Sequence, residues 1–105
     1  YVDCPDIFEN KKNFRHALYS YCIKTNRYKR DKLMNYLGDN NIQTKIYHKP
    51  LITNTNAYKI FAKNKLVNAN KLVHQILSLP CNEKITYNQA EYVVSKIKSF
   101  YKYVY

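Results

Sequence analysis

Glycine is nearly missing from this chain. There is one, Gly38, in 105 residues, alongside three prolines and no tryptophan. A single glycine excludes a KH domain, which needs a GXXG loop, and an RRM, whose aromatic strand carries glycine. So little glycine and proline also leaves no flexible linker or collagen-like stretch. The cysteines Cys4, Cys22 and Cys81 are odd in number and far apart. That pattern argues against a disulfide framework and for free thiols in a reducing, cytoplasmic setting, where they act as small buried hydrophobes. His16, His48 and His74 have no companion ligand at zinc spacing, so no metal site is expected. No apolar run approaches the roughly 20 residues that cross a bilayer. The start lacks the charged-then-apolar pattern of a signal peptide, so no membrane partner is expected. Tyr1 stands where a natural start would put methionine, so the chain reads as a piece of a longer polypeptide.

Acidic residues are scarce too, 7 against 18 Lys and Arg, which gives a net charge of +11. With 12 tyrosines among the lysines, a basic nucleic-acid-binding domain is one reading. The basic residues, however, are scattered over every segment, and the densest run is only Lys24 to Lys32. A solvated basic surface accounts for that distribution better than a nucleic-acid site does. Hydrophobic and charged contents of 46% and 24% are those of a folded domain, and the length supports one core.

Periodicity supplies the elements. Residues 1–14 read as an incoming segment and 15–105 as the domain. From Arg15 to Thr25 the chain alternates, with Ala17, Tyr19, Tyr21 and Ile23 on one face, which predicts a strand. Tyr28 to Leu37 predicts a helix with Leu33, Met34 and Leu37 inward and Lys29, Arg30 and Asp31 in water. Gly38 to Asn41 is its stop, because Gly and Asn tolerate the left-handed backbone that ends helices. Ile42 to Tyr47 alternates again and predicts a second strand. His48 to Asn56 is irregular, and Tyr58 to Phe61 predicts a helical turn. Ala69, Leu72, Val73, Ile76 and Leu77 form a helical stripe leading into a very short strand before Pro80. Thr86 and Gln89 form a capping box that opens a last helix. Its stripe is Val93, Val94, Ile97, Phe100 and Tyr101. The expected class is therefore α+β, a two-layer small domain in the order β-α-β-(loop)-α-β-α, with about three strands covered by helices.

The run LVNANKLVHQILSLP, followed by the Thr-capped helix, resembles the C-terminal small domain of the DegT/DnrJ/StrS family of nucleotide-sugar aminotransferases. Asn68, Ala69, Lys71, Leu72, Leu77 to Pro80, Thr86, Gln89, Glu91, Tyr92, Val93, Ile97 and Phe100 carry the match. RDKLMNYLGDNNI resembles the family's first helix, with Asn41 at a position usually held by glycine. Arg15, His16, Tyr21, Ile23 and Thr25 match its preceding strand.

The resemblance implies pyridoxal-phosphate enzymes that pass an amino group to a keto group on a nucleotide-linked sugar. The family's large domain, with its cofactor lysine, has no counterpart here, so the chain is expected to hold no catalytic and no cofactor-binding residue of its own. Pyridoxal phosphate enters only if the parent protein has that domain. The resemblance places Tyr47, His48 and Lys49 in the loop that borders the substrate. There the proline after the pair is missing, and Ile52 replaces the histidine that follows Pro-Leu. The expected function is an isolated or vestigial small domain in a larger protein of nucleotide-amino-sugar or glycan biosynthesis. It would dock beside a catalytic domain such as an acetyltransferase or glycosyltransferase. The first alternative is a fragment of an active aminotransferase, and the second is the basic nucleic-acid-binding domain. Expected partners are another domain of the same polypeptide or a homodimer mate, with a nucleotide sugar as a possible ligand. An aromatic docking patch is expected where Tyr19, Tyr21, Tyr47 and Tyr58 gather.

Overall fold

A computed structural model describes residues 1–5, 17 and 19–104. In chain order it contains β1 (Tyr21–Lys24), α1 (Arg30–Asp39), two 3-10 turns (Ile52–Asn54 and Lys59–Phe61), α2 (Val67–Leu72), β2 (Ile76–Leu79) and α3 (Tyr87–Ser99). A π-helical turn, Phe100–Val104, continues α3. The class is α+β, as the periodicity predicts.

Among the described residues the sheet has two strands, where about three are expected. β1 and β2 pair antiparallel, with Tyr21 opposite Leu79 and Ile23 opposite Leu77. The segment expected to form a further strand, Ile42 to Tyr47, reaches β2 at one place, the bridge between Lys45 and Ser78. Asp3 bridges Lys24 on the other side of β1. An ion pair of 2.9 Å between the same two side chains accompanies that bridge. It lowers the Asp3 pKa from its ordinary 3.8. The expected strand from Arg15 is seen only as β1, and Arg15, His16 and Leu18 lie outside the described residues.

Side chains alternate across the ribbon. Ile23 and Leu77 share one face, and both are buried against Leu33, Leu37, Ile42, Ile97 and Phe100. Each such side chain contributes about 1.5–3 kcal/mol on burial. The opposite face carries Cys22 and Ser78, whose side chains hydrogen-bond at 2.9 Å. The alternation of Ile42 and Ile46 also keeps its sense without a ladder, since Ile42 is buried and Ile46 packs on the core.

Local signals set the helix ends. Thr86 Oγ1 accepts from the Gln89 N–H at 3.3 Å, and Gln89 Oε1 accepts from the Thr86 N–H at 2.9 Å, the capping box that the spacing predicts. At the end of α1 the left-handed residue is Asn41, with φ 59°, while Gly38 stays helical. The Ile42 N–H donates to Leu37 O and the Asn41 N–H to Gly38 O, both at 2.9 Å. Those two bonds close a Schellman motif, and its apolar partners, Leu37 and Ile42, are both in the core.

Arg30 departs from the sequence reading. It is 1% exposed rather than in water. Its Nη1 donates to the carbonyls of Val73 and Ile76, at 3.3 and 3.4 Å, where α2 turns into β2. Nε faces the Asp31 carboxylate as an ion pair but off the hydrogen-bonding direction. A cation at this helix end satisfies carbonyls that the helix leaves open. The stripe expected to run from Ala69 to Leu77 is divided accordingly. Helix α2 stops at Leu72, which is exposed, while Val73 and Leu77 are buried.

Two substitutions test these devices by urea unfolding. Arg30→Ala is expected to cost about 2–4 kcal/mol, through an empty volume and two carbonyls left without donors. Asn41→Val is expected to cost about 1–2 kcal/mol, because a β-branched residue resists φ above zero, whereas Asn41→Gly stays near wild type. Equal midpoints for the two position-41 variants would contradict the left-handed assignment.

Candidate functional site

The two faces of the ribbon border different grooves. The larger, about 830 Å³, lies between the Leu79–Asn82 segment, the first half of α3 and Asn41 to Gln43. Ile42, Leu79 and Val93 line it together with the carboxamides of Gln43, Asn82 and Asn88. Among the described residues no Asp, Glu, Lys or Arg lines it, so it offers no charged acid, base or cation at a reacting centre.

The smaller groove, about 550 Å³, is polar and lies on the other side of the sheet. Tyr19, Ser20, Gln43, Lys45, Tyr47 and Ser78 line it. This is the groove to which the sequence points, because Tyr47 belongs to it. The Lys45 ammonium lies 4.8 Å from the centre of the Tyr47 ring, within cation–π range. The ring leaves 47% of the residue exposed. His48 is beside it, with ring centres 6.2 Å apart, but neither His48 nor Lys49 lines the groove. Both are exposed, and the Lys49–Pro50 peptide is cis. The structure therefore brings one of the three substrate-border candidates to the cavity and leaves two in solvent.

The four tyrosines expected to gather do so only in part. Tyr19 and Tyr47 share the polar groove. Tyr21, on the core side of the ribbon, lines the larger groove instead, and Tyr58 stands exposed before the second 3-10 turn. Tyr92 is also exposed, and its hydroxyl donates to Asn40 O at 3.3 Å. Tyr101 is half-buried, stacked on Tyr1 and hydrogen-bonded to the buried Thr25 hydroxyl. Tyr105 lies outside the described residues.

The sequence reading does not join Ser20, Cys22 and Ser78; the cysteines, expected as small buried hydrophobes, are half-buried at Cys22 and Cys81 and exposed at Cys4. Cys22 Sγ lies 3.0 Å from Ser20 Oγ and 2.9 Å from Ser78 Oγ. The alternation of β1 predicts that Ser20 and Cys22 share a face, but only the pairing with β2 brings Ser78 to them. Among the described residues of the groove beside this trio, Lys45 is the one charged side chain, and no Asp, Glu or His lines it. No group of three His, Cys, Asp or Glu side chains that could hold a metal occurs among the described residues.

The model of the DegT/DnrJ/EryC1/StrS aminotransferase family matches residues 3–98. The chain belongs to that family. No curated protein matches it. Among solved structures, the aminotransferase TlmJ from Streptoalloteichus hindustanus superposes with a TM-score of 0.83 at 19% identity, covering 99% of this chain and 27% of that one. A DegT DnrJ EryC1 StrS aminotransferase from Brucella abortus gives 0.84 at 25% identity, covering 96% and 26%. Helicobacter pylori PseC, an aminotransferase involved in the biosynthesis of pseudoaminic acid, gives 0.71 at 19% identity, covering 92% and 30%. The chain thus spans about a quarter of the length of the first two family structures.

Family chemistry rests on pyridoxal phosphate, so the lysines of this chain need testing against it. A lysine that forms a Schiff base needs a desolvated or cationic pocket. Among the described residues Lys29 and Lys96 are half-buried and the other lysines are exposed. These residues do not form such a pocket, and no catalytic step through the cofactor is assigned to them.

Tyr21 gives the site a pH signature. Burial raises its phenol above the ordinary 10.0, and a hydrogen bond with the Cys4 thiol raises it further. A raised pKa means that the folded state holds the proton more tightly. The associated stability is complete below the unfolded value of 10.0 and is lost as pH rises through the folded one. Tyr21→Phe is expected to flatten the alkaline limb of a stability-versus-pH curve. An unchanged limb would show that Tyr21 does not govern it.

Proposed function

We propose that residues 1–105 are a non-catalytic small domain that docks beside another domain of the same polypeptide, in a protein of nucleotide-amino-sugar or glycan biosynthesis. The observation that carries this reading is the contrast between a kept scaffold and an open site. The superposition with a family aminotransferase reaches a TM-score of 0.83, yet each described lysine lies at or near the surface. Core positions such as Leu33, Leu77 and Ile97 hold the fold. The substrate-border loop, by contrast, places His48 and Lys49 in solvent. A homodimer mate is the other candidate partner, and a nucleotide sugar on the Tyr47 side of the sheet the candidate ligand. An odd number of cysteines, with no disulfide among the described ones, suits a cytoplasmic protein. No helix of the described residues is long and apolar enough to cross a membrane.

A second reading, a fragment of an active pyridoxal-phosphate aminotransferase, is favoured by one observation: the chain spans only 26–27% of two family structures on which it superposes. The two readings share the docking role and differ in the neighbour. Borohydride treatment of the natural polypeptide, followed by peptide mapping, separates them. The docking reading expects no pyridoxyl label on any lysine of residues 1–105. A label on a lysine outside them selects the enzyme reading, with this domain as its small domain. A label on a lysine within residues 1–105 would overturn both.

A further inference from the structure

From Asn40 to Asn82 the chain contains no Asp or Glu, while it carries Lys45, Lys49, Lys59, Lys63, Lys65 and Lys71. Within this window, residues 52–72 form an arm made of the two 3-10 turns and α2, none of which buries a residue. The arm is nonetheless apolar. Ile52 is 70% exposed, Ile60 76%, Phe61 68% and Val67 70%, and Leu66 and Leu72 are exposed beside them. It is also internally tied. The side chain of Asn54 donates to that of Asn70 at 3.1 Å, joining the first turn to α2. Thr55 Oγ1 donates to Ile52 O at 2.7 Å, and Lys59 Nζ to Asn56 Oδ1 at 3.2 Å. Scattered exposed apolar residues are normal on a protein surface, but a concentration of this kind on one ordered arm marks an interaction surface.

We propose that residues 52–72 are the docking surface of this domain, and that the partner is a protein face with carboxylates set around an apolar centre. The proposal rests on the docking reading above and adds the place and the chemistry of the contact. Charge complementarity selects the partner: the arm carries four lysines and no acid along with its apolar side chains, so carboxylates are the groups that pair with them. A second copy brings the same lysines and a net charge of +11 against its own kind. Nucleic acid would use stacking platforms, whereas most of the exposed apolar groups here are aliphatic. A membrane surface favours a sustained amphipathic helix, and this arm has two three-residue turns and a six-residue helix.

The test is carried out on the natural polypeptide that contains these residues, with a carbodiimide that links lysine directly to carboxylate. Mass spectrometry is expected to find links from Lys59, Lys63, Lys65 or Lys71 to Asp or Glu outside residues 1–105. Reversing those four lysines to glutamate is expected to speed amide exchange over 52–72 by about tenfold. Exchange at Leu33 and Leu37 should stay unchanged, which shows that the domain still folds. Links confined to residues 1–105, or links between isotopically distinct copies, overturn the proposal. So does fast exchange of the wild-type arm that slows on adding phosphatidylserine vesicles or a DNA oligonucleotide. Protection at Tyr19 and Tyr47 with an unprotected arm would leave the docking reading standing and remove this one. Protection at neither would remove both.

Discussion

Everything in this domain depends on one face of a two-stranded ribbon. Two strands alone are marginal in water and need a cover over an apolar face. Ile23 and Leu77, directly opposite each other, provide that face, and α1 and α3 close over it with Leu33, Leu37, Ile97 and Phe100. Since both long helices lie on the same side, the other side of the ribbon is left polar, with Ser20, Cys22 and Ser78 in mutual contact. The separation of scaffold from groove thus follows from the period of two in a strand. One residue of register slip would exchange the two faces and bring Cys22 and Ser78 into the core.

Arg30 secures the same arrangement from the flank. Between α2 and β2 the chain passes through a turn at 73–75, whose carbonyls and that of Ile76 need donors. Arg30 donates to two of them, and the Thr25 N–H takes a third, from Gln75, at 2.9 Å. A guanidinium suits this task better than an ammonium, because its fixed fork spans neighbouring acceptors without rearrangement. Its burial is supported by those bonds and by the adjacent Asp31, a residue that itself stays in solvent.

How much of this was legible in the sequence depended on how local the cause was. The Thr86–Gln89 box and the left-handed Asn41 rest on residues within five positions of each other, and both could be read directly. The core sense of Ile23, Ile42 and Ile97 also came through, since periodicity reports it. The strand expected at Ile42 to Tyr47 failed for a reason that periodicity does not carry. Ile42 is committed to the Schellman bond with Leu37, and the chain meets β2 only at Lys45. Arg30 was misplaced because its partners lie more than 40 residues away. The same holds for the site: Tyr47 alternates toward the groove, while His48 and Lys49 follow a loop whose course no local pattern dictates.

Charge explains why such a surface is tolerable in solution. An apolar arm without acidic residues would be an association hazard on a neutral molecule. On a chain of +11, like-charge repulsion opposes contact between copies. The repulsion is screened beyond about 10 Å at 0.1 M salt. At contact distance, therefore, the outcome depends on the groups that actually meet. Carboxylates opposite the arm's lysines turn repulsion into attraction while the aliphatic centre is buried. The charges that keep the copies apart are then the ones that select the partner.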